Sequence, residues 1–120
     1  MNFNNYYWHD AIIKNLIIDR RSPGINDSIL IEIIWPNGKE NILSFAKVYW
    51  ANLDLNFGIA SEENILNAYS TSEDKVLTDL FLKWKGLIDN IVLNCYVIKL
   101  NSTGGEIKII STGFKMLDTK

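Results

Sequence analysis

The sequence predicts an α+β domain. An antiparallel, meander-like sheet of five or six strands carries one main amphipathic helix, about residues 73–89, packed on one face. Three observations carry this expectation. Strand-length runs alternate apolar and polar residues with period two, most cleanly over Ser28–Trp35. An Asn37-Gly38 dipeptide, a strong hairpin signal, closes that run. Val76, Leu77, Leu80, Phe81, Trp84, Leu87 and Ile88 recur at helical spacing and form one apolar stripe. The alternative plan is a strongly curved half-barrel clasping the same helix.

The elements follow in order. Ala11–Asp19 is rich in Ile and Leu and reads as a strand. Ile12, Leu16 and Ile18 would share one face and Ile13 and Ile17 the other, unless a bulge shifts the register. Ser22-Pro23-Gly24 marks a turn, because Pro fixes φ and Gly tolerates φ > 0. In the next strand Ile29, Ile31, Ile33 and Trp35 face one way. Asn37-Gly38 suits a type I′ turn, with positive φ at both residues. The returning chain, 39–57, is one bent strand or two, and ordinary strand lengths favour two.

Ser61 would cap a short helix over Glu62–Ala68, with acids in the first turn where the helix dipole favours them. Ser70 and Glu73 have capping-box spacing for the main helix. Gly86 weakens that helix's last turn by about 1 kcal/mol relative to Ala. Ile91–Leu100 and Glu106–Ser111 complete the pattern as a hairpin around Asn101–Gly105. Gly113–Leu117 continues the last strand past a kink.

Composition bounds the function. The 120 residues suit one domain over 1–120. One His and one Cys leave no disulfide framework and too few N/S ligands for an ordinary zinc site, so no metal or cofactor is expected. A net charge of −2 and a pI near 5.3 lack the basic footprint of a nucleic-acid binder. No apolar run approaches the roughly 20 residues needed to span a bilayer, so no membrane partner is expected. A lone thiol and the absence of a signal-like leader suit a cytoplasmic protein, monomeric or homodimeric.

Candidate chemistry is sparse. Trp8, His9 and Asp10 form a possible ligand-binding group around the only His. If that stretch is extended, neighbouring side chains point to opposite faces and cannot grip one ion. The plainer role is a His bonded to a backbone carbonyl or a carboxylate at the mouth of the first strand. Cys95 lies in an apolar strand without a neighbouring cation, which describes an inert buried thiol. Phe3, Tyr6, Tyr7 and Trp8 alternate with asparagines, a composition suited to anchoring a terminal segment on a sheet edge.

The charge distribution is more informative. Asp54, Glu62, Glu63, Glu73 and Asp74 fall in a stretch without Lys or Arg. That segment carries −5, so a total of −2 leaves +3 for the remainder. Such a lobe is a candidate docking patch for a basic protein partner, against the plainer reading of a solvated acidic surface.

Tyr7-Trp8-His9-Asp10-Ala11, the strand ending Trp35-Pro36-Asn37-Gly38, Ser44-Phe45 and the Asn101-Ser102-Thr103-Gly104 hairpin resemble small bacterial single-domain proteins, among them the immunity proteins of polymorphic toxin systems. The resemblance covers most of the chain by order of elements, through short motifs. It implies a non-enzymatic binding role, occlusion of a partner toxin, and no catalytic residues. Two other readings compete with it. One is a small ligand-binder or enzyme with a pocket near His9 and Asp10. The other is a self-associating module.

Overall fold

The computed structural model describes residues 2–86 and 91–119. Six strands are present: β1 (Ile12–Asp19), β2 (Ser28–Ile34), β3 (Glu40–Asp54), β4 (Glu63–Thr71), β5 (Asn94–Leu100) and β6 (Glu106–Asp118). Among the described residues one α-helix, α1 (Lys75–Lys83), lies between β4 and β5, and a 3₁₀ turn covers Phe3–Asn5. The sheet is antiparallel throughout and closes on itself in the order β1-β2-β3-β6-β5-β4. The molecule is therefore mostly sheet, and the helix is small.

Residues 39–57 hold one long strand, Glu40–Asp54, rather than two. The first half of β3 pairs with β2 over Glu40–Phe45, while β6 pairs with it from Asn41 to Asp54. A register shift between Val48 and Trp50, beside Lys47 at φ 52°, bends the strand where it leaves β2. The Val48 amide instead donates to the Asp27 carbonyl at 2.9 Å. This bend lets one strand serve two sides of a barrel.

A second shift, between Ile13 and Asn15, makes Lys14 the extra residue of β1. It brings Ile13 and Leu16 against the core together. The simple alternation that grouped Ile12 with Leu16 is broken by it. The hairpin after β2 also differs from expectation. The Gly38 amide donates to the Trp35 carbonyl at 2.8 Å, and Gly38 alone takes positive φ, at 88°. Pro36 holds the first turn position at negative φ, which excludes type I′ and gives a type I turn with a glycine bulge.

The expected helix over Glu62–Ala68 is strand β4. A seven-residue helix has little stability of its own. This segment instead pairs with β5 along its length and with β1 at its start. Helix α1 is shorter than the expected 73–89. Its N-cap is Asp74, whose carboxylate accepts from the Val76 amide at 2.8 Å, so the Ser70/Glu73 capping box is not used. Trp84–Gly86 form a turn, with Gly86 at φ 89°. The Leu87 and Ile88 part of the stripe lies outside the described residues.

Alternation along the strands builds two apolar layers. Ile29, Ile31, Ile33, Leu43, Phe45, Tyr96, Ile98, Ile107 and Ile109 point into the barrel. Cys95, Val97 and Ile110 point out of it and are covered by Leu77 and Leu80 of α1. The helix thus sits on the outside of the barrel, not within a clasping half-barrel.

The chain's first residues fill the inside. Phe3 and Trp8 are buried, with ring centroids 4.6 Å apart, and Phe3 also meets Tyr96 at 4.9 Å and Phe114 at 5.1 Å. The Trp8 indole donates to the Phe3 carbonyl at 2.7 Å, which satisfies its one polar atom. Hydrogen bonds tie this segment to β4. The Asp10 amide donates to the Ile65 carbonyl, and Asn4 Oδ1 accepts from the Ser70 amide at 2.7 Å. The segment anchors on a sheet edge, as its composition suggested, and also plugs the barrel.

Candidate functional site

The acidic residues separate into two places. Asp74 is committed to structure. It caps α1 and holds Lys108 Nζ at 3.3 Å, with both side chains largely covered. Burial works to lower the Lys108 ammonium, but the hydrogen bond and charge of Asp74 outweigh it, and the ammonium sits above its ordinary range. Glu73 lies beside this pair and is exposed.

Asp54, Glu62 and Glu63 gather at the other place. There β3 ends, β6 begins, β5 ends and β4 begins. The hairpin geometry adds an acid that the sequence-local stretch did not contain. Asp54 stands directly opposite Glu106 in the β3–β6 register. Like charges facing each other across a strand pair destabilise the sheet. Lys99 faces Glu106 from the other side, yet among the described residues neither acid forms an ion pair. Glu62 is paired with Lys14 at 3.3 Å, but more than half its side chain remains in water. A pair that exposed is worth at most about 1 kcal/mol.

Gly105 shapes this end. A Cβ there would sit 2.2 Å from the Asp54 carbonyl oxygen, so only glycine lets the β5–β6 turn pass so near β3. The turn is tied down by the Leu100 amide donating to the Gly105 carbonyl, and by Asn56 Nδ2 donating to the Thr103 carbonyl at 3.2 Å.

Trp8, His9 and Asp10 do not converge. The Trp8 ring is inside the barrel, whereas His9 and Asp10 are exposed on its surface. Asp10 takes φ 69°, so the pair lies in a turn and not in an extended strand. His9 Nδ1 is 2.9 Å from the Leu66 carbonyl, and Nε2 is 3.6 Å from the Asp10 carboxylate. An Nδ1–H donating to that carbonyl accounts for the contact and braces the turn against β4. Among the described residues no three His, Cys, Asp or Glu side chains are grouped to hold a metal ion.

Cys95 is fully buried beneath α1. Burial, reinforced by the nearby Asp74 charge, pushes its thiol up to about 11. It therefore stays a neutral thiol at ordinary pH, in a different layer from His9. The two arginines at the β1–β2 turn are also committed, Arg20 to Asp27 at 3.2 Å and Arg21 to Asp19 at 2.8 Å. The hydrogen bond from Arg21 lowers the Asp19 carboxyl to about 2.

Sequence reasoning missed Glu106 and Thr103. Neither belongs to the acidic stretch; the β3–β6 pairing brings Glu106 to it, and the Asn56 bond to the Thr103 carbonyl brings Thr103. Among the described residues no helix is long and apolar enough to cross a membrane. The chain matches no protein-family model, and no curated protein or solved structure is detectably similar to it.

Proposed function

We propose that the protein is a protein-binding module, of the immunity type that acts by covering a partner, and that its docking face is the acidic barrel end of Asp54, Glu62, Glu63 and Glu106. The observation that carries this reading is the Asp54–Glu106 pairing. A sheet that only needed to fold would gain from a basic residue in place of Asp54, since Glu106 already faces Lys99 on its other side. A basic partner offsets the repulsion on binding, and the same field speeds its approach.

The test is recovery of the partner from the native host with the wild-type protein and with Asp54→Lys, followed by affinity measurements at low and high salt. A basic partner, held more weakly as salt rises and lost by the variant, is the expected outcome. Equal, salt-insensitive binding by both proteins would remove the acidic end from the account.

A further inference from the structure

Strand β3 is paired on both sides only in its first half. Its ladder with β2 ends at Phe45, while its ladder with β6 runs on to Asp54. Among the described residues, the other edge of β3 meets no strand from Trp50 to Asp54. The Val48 amide is met by the Asp27 carbonyl, but no turn covers the backbone of residues 50–54. In an antiparallel pair alternate residues aim their N–H and C=O groups at the neighbour, and the others aim them away. Those outward groups are a template for one more strand.

The side chains beside this edge agree. Ala51 and Leu53 stand opposite Ile109 and Ile107, so they share the inward face. Ile18 stands opposite Ile29 and shares that face too. Yet Ala51 is exposed and Ile18 is half exposed. Both line a cleft of ≈ 360 Å³ between β3 and the β1–β2 hairpin. The inward layer is thus uncovered where the β3 edge is unpaired. Trp50–Leu53 carries neither proline nor charge, the residues that commonly blunt an edge. At the rim of the cleft Arg20 and Asp27 neutralise each other.

Charge selects the occupant. On the outward face Lys99, Glu106 and Asp54 form one row across β5, β6 and β3. The row ends at Asp54, and the next position in it is the open edge. A basic residue there would face Asp54 across a strand pair and offset its repulsion with Glu106. We propose that an extended segment of the basic partner adds antiparallel to β3 over Trp50–Asp54. Its apolar residues turn inward onto Ala51, Leu53 and Ile18, and a lysine or arginine stands opposite Asp54. This rests on the docking reading above and names the shape of the segment that docks.

The experiment titrates a capped hexapeptide into isotope-labelled protein and follows the backbone amide resonances. The peptide begins with lysine and then alternates valine with threonine. Saturable shifts centred on residues 50–54 are expected. Methylating the backbone nitrogens of the valines, or of the threonines, gives two further peptides. One of these should bind about tenfold or more weakly and the other should not, because only one edge of the peptide meets β3. Glutamate in place of lysine should weaken binding roughly fivefold, and Asp54→Lys should invert that preference. Ala51→Lys places an inward charge at an exposed position and should abolish binding without unfolding the protein. Absence of saturable shifts, or equal binding of the two methylated peptides, overturns the proposal. So does light scattering that shows a dimer with these amides already covered, which would make a second copy the occupant.

Partner recovery is read separately. A partner lost by Asp54→Lys but kept by Ala51→Lys, beside an edge that binds no peptide, removes the added strand alone. A peptide paired with the edge, beside a partner untouched by Asp54→Lys, removes the docking face and with it the basic partner as occupant.

Discussion

The barrel's interior and its acidic end follow opposite rules. Inside, rings from distant parts of the chain interlock. Phe3, Trp8, Tyr96 and Phe114 meet at centroid distances of 4.6–5.8 Å, and Tyr6 stacks on Trp35 at 5.5 Å. The Trp8 and Trp35 indoles donate to the Phe3 carbonyl and to Asn41 Oδ1, both at 2.7 Å. At the acidic end two carboxylates face each other across a strand pair, and two buried oxygens lack partners. One region is satisfied by the chain itself and the other is not. The difference teaches where the chain satisfies its own groups and where it does not, and the proposed docking face rests on that unsatisfied end.

Breaking the interior should cost the most. Trp8→Ala removes a buried ring and the hydrogen bond that closes the plug, with an expected loss of roughly 3–5 kcal/mol in denaturant titration. A loss near zero would mean that the plug is not part of the folded core. Gly105→Ala comes next. Its methyl would meet the Asp54 backbone oxygen, and overpacking of this kind costs roughly 1–3 kcal/mol. It should distort the acidic end as well as weaken the fold.

The outer layer under α1 should give smaller effects. Asp74→Ala removes an N-cap, at roughly 0.5–2 kcal/mol, and also leaves Lys108 without its carboxylate. Asp74→Asn keeps the capping oxygen and should recover part of that loss. Cys95 provides a pH readout of the same layer. Its folded thiol lies at about 11 against an ordinary value of 9.0, so the unfolded chain gives up its proton first. The stability this burial provides is complete below pH 9.0 and should fall as pH rises from 9.0 through about 11. A Cys95→Ala variant should lose that dependence. Unchanged pH profiles in wild type and variant would place the thiol in water.

Much of the interior was legible in the sequence, because half-buried strands announce themselves by alternation. Ile29, Ile31, Ile33 and Trp35 all face the core as their spacing required. Asn-Gly located the β2–β3 hairpin although Pro36 changed its turn type. Barrel closure was not legible, since the β1–β4 seam rests on two residue pairs beside a bulge. Strand β4 was misread for a related reason. Its register shift between Ile65 and Asn67 breaks period two, and acids at its start imitate a helix N-terminus.

The candidate site was legible only in part. A run of acids is visible in one dimension, but a helix cap removed Asp74 from it and strand pairing supplied Glu106. Thr103 looked like an ordinary hairpin residue until the fold set its carbonyl against Asn56, just past the end of β3. Local patterns report secondary structure, and sites such as this one are made by pairings between strands far apart in the chain.

Asp54→Lys separates the two regions most directly, because it should move stability and binding in opposite senses. Replacing one of two facing carboxylates by an ammonium creates an opposite-charge pair with Glu106, worth about 0.2–1 kcal/mol. The account predicts a melting temperature equal to or above wild type, together with clear loss of affinity for the basic partner. A variant that binds its partner as tightly as wild type would contradict it.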